Sequence, residues 1–127
     1  MASQSDSGSR ESGPALQKFG DRVYLGPKTY TASGALRPSG LCMLNSSGVK
    51  IEATLEAPLA AGQFIVITQI DTGTDGHTVT SASGTTLNGT NNTATFNAAG
   101  ESLMLVARST TTWVILANVG SVSMTTA

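Results

Sequence analysis

The densest run of groups able to do chemistry is Asp71-Thr-Gly-Thr-Asp75-Gly76-His77, which holds two carboxylates and the sole histidine of the chain. Such a run could form a calcium loop or hold a transition metal. A helix–loop–helix calcium site needs oxygen ligands at alternate loop positions and a closing carboxylate. Counted from Asp71, the third residue is Gly73 and the twelfth is Ala82, so two ligands are missing. Zinc favours several His or Cys ligands, and the chain has one of each. The pattern fits a turn whose Asp and Gly residues supply loop conformations. Asp71, Asp75 and His77 are the only metal candidates, and no metal or other cofactor is expected.

Other chemistries find less support. A nucleophilic site needs Ser, Thr or Cys activated by His and oriented by a carboxylate, and no G-x-S-x-G elbow is present. Glycoside hydrolysis needs paired carboxylates. Glu52, Glu56 and Glu101 lie on expected strands, but Glu52 and Glu56 fall on the outward face of an amphipathic one. Neither G-x-x-x-x-G-K-[ST] nor G-x-G-x-x-G occurs, so no phosphate cradle is legible. Trp113, the only Trp, could be a ligand-stacking platform. Its alternation with Ile115 instead marks a core or interface anchor. Cys42, between Leu41 and Met43, reads as a small buried hydrophobe. The chain is not expected to be an enzyme or to take a small-molecule substrate.

The elements that position these residues are strands. Of the 127 residues, only 12% are charged and 5% aromatic, and Thr, Ser and Gly together exceed a third. This composition is poor in helix formers and rich in strand and turn residues. It excludes helical bundles and coiled coils. A net charge of −1 with no Lys/Arg cluster excludes a basic footprint for nucleic acid or anionic membrane. Residues 1–12 lack the apolar run of a signal peptide, and apolar runs such as Phe64 to Ile67 are far too short to span a membrane.

Residues 1–21 read as an extended, Ser/Gly-rich N-terminal arm, and 22–127 as a single β domain. Strands are expected at Arg22–Leu25, Lys28–Ala32, Leu41–Asn45, Val49–Glu56, Gln63–Asp71, His77–Ser81, Thr93–Asn97, Glu101–Arg108, Thr112–Asn118 and Gly120–Met124. Ser33–Gly40 reads as turn. In Val49–Glu56, Val49, Ile51, Ala53 and Leu55 share one face, the signature of a half-buried strand. In Gln63–Asp71, Phe64, Val66 and Ile70 fall on one face and Ile65 and Ile67 on the other, so both faces expect cover. The Asn88-Gly89 pair suits a tight hairpin turn. The fold expected is all-β, an antiparallel β-sandwich or small β-barrel of about eight strands.

The C-terminal half carries a resemblance. Gly76-His-Thr-Val-Thr, Ser83-Gly-Thr-Thr-Leu-Asn-Gly-Thr, Asn91-Asn-Thr-Ala-Thr-Phe-Asn-Ala-Ala-Gly-Glu-Ser-Leu-Met-Leu-Val and Thr112-Trp-Val-Ile-Leu resemble a β module of tailed-bacteriophage virion proteins. That module recurs in head decoration (cement) proteins and in the knobs of phage fibres, and the likeness covers residues 62–118. It implies a virion structural protein, a homotrimer on the outer capsid surface made in the host cytoplasm, with the major capsid protein as partner. The arm would dock between capsid subunits through Ser3, Gln4, Arg10, Glu11, Pro14, Leu16 and Phe19. Phe64, Val66, Ile70, Phe96, Leu105 and Trp113 are candidates for core or trimer interface. The alternative is a receptor- or carbohydrate-binding knob of a head or tail fibre.

Overall fold

The computed structural model describes residues 16–19 and 22–127; Ser3, Gln4, Arg10, Glu11 and Pro14 of the expected arm lie outside them. A two-stranded antiparallel ribbon comes first, β1 (Leu16–Phe19) against β2 (Arg22–Leu25). Leu16 and Phe19, read as arm, therefore belong to paired backbone, and among the described residues the ribbon pairs with neither five-stranded sheet.

Ten further strands follow: β3 (Lys28–Tyr30), β4 (Gly34–Leu36), β5 (Gly40–Leu44), β6 (Glu52–Leu55), β7 (Phe64–Gln69), β8 (His77–Ser81), β9 (Thr93–Phe96), β10 (Ser102–Ala107), β11 (Trp113–Val119) and β12 (Ser123–Thr125). They form two five-stranded sheets, ordered β11-β10-β7-β5-β3 (sheet I) and β12-β9-β8-β6-β4 (sheet II). The described residues contain no helix, and so none long and apolar enough to cross a membrane.

The all-β, two-layer architecture is the one expected, consistent with a β-sandwich, but its sheets are mixed. From β3 to β8 the chain crosses to the other sheet after every strand. Neighbours within a sheet therefore run the same way, and β3/β5, β5/β7, β4/β6 and β6/β8 pair in parallel. Parallel pairing needs a crossover, usually a helix; here a strand of the opposite sheet provides it. After β8 the chain turns back, and β9, β10, β11 and β12 add antiparallel.

Alternation delivers one face of each sheet to a common core. In β7 the odd positions Ile65, Ile67 and Gln69 are fully buried, and in β6 the buried pair is Ala53 and Leu55. Phe96, Leu103, Leu105 and Trp113 are also fully enclosed within the single chain. Phe64, Val66 and Ile70 point outward instead, Phe64 and Ile70 each 43% exposed. The six core-or-interface candidates thus divide evenly between the two environments.

Three local features differ from the sequence reading. Gly34–Leu36, read as turn because Gly, Ser and Pro flank it, is a short strand that buries Leu36. Val49 is exposed rather than inward, because Gly48 at φ 86 turns the chain just before it and the strand begins at Glu52. Asn88-Gly89 forms a tight turn, closed by the Leu87 N–H donating to the Asn91 carbonyl at 2.8 Å, but it does not join β8 directly to β9. It sits in an excursion over residues 82–92 that buries Leu87 and bridges Thr86 to Thr112 at the margin of the other sheet.

Candidate interaction surface

The Asp71–His77 run spans the loop between β7 and β8 and ends on the first residue of β8, and the structure brings its three candidate ligands together. Ligand atoms of Asp71, Asp75 and His77 lie within 4.8 Å of one another. Their hydrogen bonds, however, leave little for a metal. The Ile51 N–H donates to His77 Nδ1 at 2.9 Å, so Nδ1 carries no proton. The proton sits on Nε2, which donates to Asp71 Oδ2 at 3.0 Å. Both ring nitrogens are committed. A metal on Nε2 would need the proton moved to Nδ1, against the Ile51 N–H.

Asp71 is equally committed. Oδ2 also accepts from the Ser46 N–H at 2.9 Å, while Oδ1 accepts from the Gly73 N–H at 2.9 Å and from Gln69 Nε2 at 3.2 Å. Burial alone would raise its pKa, but the Ser46 N–H, the His77 ring and the Gly73 N–H hold the carboxyl below its ordinary value. Gly73 leaves room for this arrangement, since a Cβ there would sit 2.7 Å from Asp75 Oδ2 and 3.0 Å from Asp71 Oδ1 and would force a side chain to shift. Asp75 Oδ2 accepts the Gly48 N–H at 2.9 Å. The run is a staple that fastens the β5–β6 loop to the β7–β8 loop.

The other chemical candidates are also structural. Cys42 is fully buried, and burial pushes its thiol pKa up, against the lowering influence of Arg37, which disfavours a nucleophilic thiolate. Glu52 is exposed and pairs with Lys50 at 3.6 Å. Glu101 Oε1 accepts the Asn97 N–H at 2.6 Å, closing the turn between β9 and β10. A shallow cavity of about 300 Å³ is lined by Asn88, Gly89, Arg108 and residues 112–115. Trp113 borders it but is 0% exposed, so it offers no stacking platform.

What distinguishes the molecule is the contrast between its two outer faces. On sheet II, cross-strand register aligns Thr54 with Thr80, Thr80 with Thr93, and Thr93 with Thr125, and a second row aligns Glu52, Thr78, Thr95 and Ser123. Most of these hydroxyls suit water; Thr93, buried among them, bonds to Thr80 at 3.2 Å instead.

On sheet I the outward rows are apolar. Val114, Val106 and Phe64 align in one, and Ala117, Met104, Val66 and Leu41 in the next. A third row, Val119, Ser102, Thr68 and Met43, adds two hydroxyls and no charge. Leu116, the extra residue of a bulge in β11, is 54% exposed, Val119 57% and Met104 36%. With Phe64 and Ile70 these residues expose on the order of 400 Å² of apolar surface, a large patch for a lone soluble domain. Sequence reasoning picked out Phe64, Val66 and Ile70 but missed Leu41, Met104, Leu116 and Val119. The alternation of Ser102–Ala107, apolar at Met104 and Val106 as well as at Leu103 and Leu105, carried the same two-sided signal as β7.

No protein-family model, curated protein or solved structure matches the chain.

Proposed function

We propose that the chain is a virion structural protein, a capsid decoration (cement) protein that binds the outer surface of a tailed-phage head as a homotrimer. The observation that carries this reading is the pair of unlike outer faces. One is a hydroxyl lattice fit for solvent; the other is an uncharged apolar sheet face that a lone chain leaves wet. Such a molecule is an assembly component, with a structural rather than catalytic role. The phrases behind the phage resemblance support it, since they fall on β8, the 82–92 excursion, β9, β10 and β11, all within the described sandwich.

In this role the work is done by mass action. A protein that binds only the assembled shell shifts the equilibrium toward the shell. Three arms on one trimer raise the effective concentration of each contact, and the balanced charge of residues 1–22, three acidic against three basic side chains, favours backbone hydrogen bonds and packing over salt bridges. The fibre-knob alternative gains nothing from Trp113, which is enclosed. The test is co-sedimentation with phage heads assembled without this protein. Full-length chain should pellet with the heads and raise their disruption temperature; chain lacking residues 1–20 should stay folded and remain in the supernatant. Equal binding by both would reject the arm mechanism, and no binding by either would reject the decoration role.

A further inference from the structure

We infer that the outward face of sheet I is where copies of this chain meet, leaving the threonine face of sheet II toward solvent. The inference rests on the homo-oligomer reading and specifies its surface. The face spans β11, β10, β7 and β5, and register places Val114–Val106–Phe64 and Ala117–Met104–Val66–Leu41 in continuous rows across it. No outward position within these four strands ionises, and the nearest cation, the exposed Arg108, lies just beyond β10 at the rim, so the face holds no charge pattern with which to select an unlike partner. A second copy brings the same apolar rows, and apolar surface meets apolar surface without leaving a charge unpaired. The area is compatible: on the order of 400 Å² per copy from the exposed residues, with the half-buried Leu41, Val66, Val106 and Val114 of the same rows added, brings two copies toward the roughly 1,000 Å² that a specific interface needs. Sheet II has neither property, because its outward rows are hydroxyls with the Glu52 carboxylate among them.

The experiment measures solution mass by light scattering on the full chain, with Met104→Glu as the probe and Thr54→Glu on sheet II as the control. Trp113 emission and far-ultraviolet circular dichroism report folding. Met104 is 36% exposed, so the carboxylate stays hydrated in a free chain; in an interface it is buried unpaired, which should weaken association about a hundredfold or more. The expected result is a multimer for the parent and Thr54→Glu and a folded single chain for Met104→Glu; a parent of three chains fits the trimer, whereas a parent of two chains that Met104→Glu dissociates keeps the face assignment and overturns the trimer. A parent and Met104→Glu that associate alike overturn the face assignment while the oligomer reading survives. A parent that stays a single chain overturns both. If Met104→Glu does not fold, Leu116→Glu, at a site 54% exposed, is judged by the same outcomes.

Discussion

Asp71→Asn is the sharpest perturbation of the loop staple. The carboxylate accepts four bonds, from Ser46 N–H and His77 Nε2–H on one oxygen and from Gly73 N–H and Gln69 Nε2 on the other. An amide accepts on one side only. Whichever way Asn is turned, its NH₂ faces two of those donors. His77 cannot compensate by moving its proton, because Nδ1 already accepts the Ile51 N–H. Two buried, charge-assisted bonds are lost at roughly 1.5–3 kcal/mol each, and since neighbouring losses do not add fully the expected cost is about 3–5 kcal/mol. At roughly 3–5 °C per kcal/mol for a domain of this size, Tm should fall by about 10–20 °C. Urea unfolding followed by Trp113 emission, with thermal circular dichroism alongside, gives the measurement. Asp75→Asn is the control. It disturbs one exposed bond, to Gly48, and should cost under about 1 kcal/mol. The reasoning is refuted if Asp71→Asn stays within about 1 kcal/mol of the parent. It is equally refuted if calcium or zinc raises the parent's Tm by several degrees, which would mean that the cluster serves an ion.

Because the Asp71 pKa is lowered in the folded chain, its contribution is complete above the unfolded carboxylate value and is lost as pH falls through that value toward the folded one. Stability curves should therefore drop on acidification below about pH 4, with a shallower drop in Asp71→Asn. Cys42, buried with a raised thiol pKa, should react with aromatic disulfide reagents only after urea unfolds the chain; rapid native-state labelling would contradict its enclosure. Trp113 should emit in the blue and resist acrylamide quenching, and Trp113→Ala should cost about 3–5 kcal/mol in urea titrations. A red-shifted, quenchable native spectrum would contradict its position.

Strand content was legible wherever one face repeats at period two. Ile51, Ala53 and Leu55 alternate with charged and hydroxyl residues, and all three are buried. The hairpin of β10 and β11 was legible because two apolar runs flank Ser109–Thr111. Strand direction was not. The connections between β5 and β6 and between β7 and β8 carry ordinary turn residues, and nothing local distinguishes a return alongside the same strand from a crossing to the opposite sheet. The bland reading of Asp71, Asp75 and His77 as a loop followed from missing ligands. Its role as a staple did not, because the decisive donors, Ser46, Gly48 and Ile51, lie more than twenty residues away in sequence. The apolar outer face was half legible. Phe64 and Val66 declared a second covered side of β7, whereas Leu41 and Met104 joined them only through cross-strand register.

The alternating path of β3 to β8 governs how quickly the fold is made and lost. Neither sheet is encoded by one stretch of chain, so no half of the molecule can mature while the other waits. The strands that finish the two sheets, β11 and β12, come last in the chain. Distant segments must close large loops before their contacts repay the lost entropy, which places folding toward the slow end, roughly milliseconds to seconds. The same interleaving opposes partial opening, since releasing β5 or β7 from the middle of sheet I breaks the wall against which sheet II packs. Persistence is then set by an unfolding rate rather than by the equilibrium alone. In the virion role proposed above, outside any cell and with no chaperone to rebuild a damaged chain, a slow unfolding step would be the form of durability that counts.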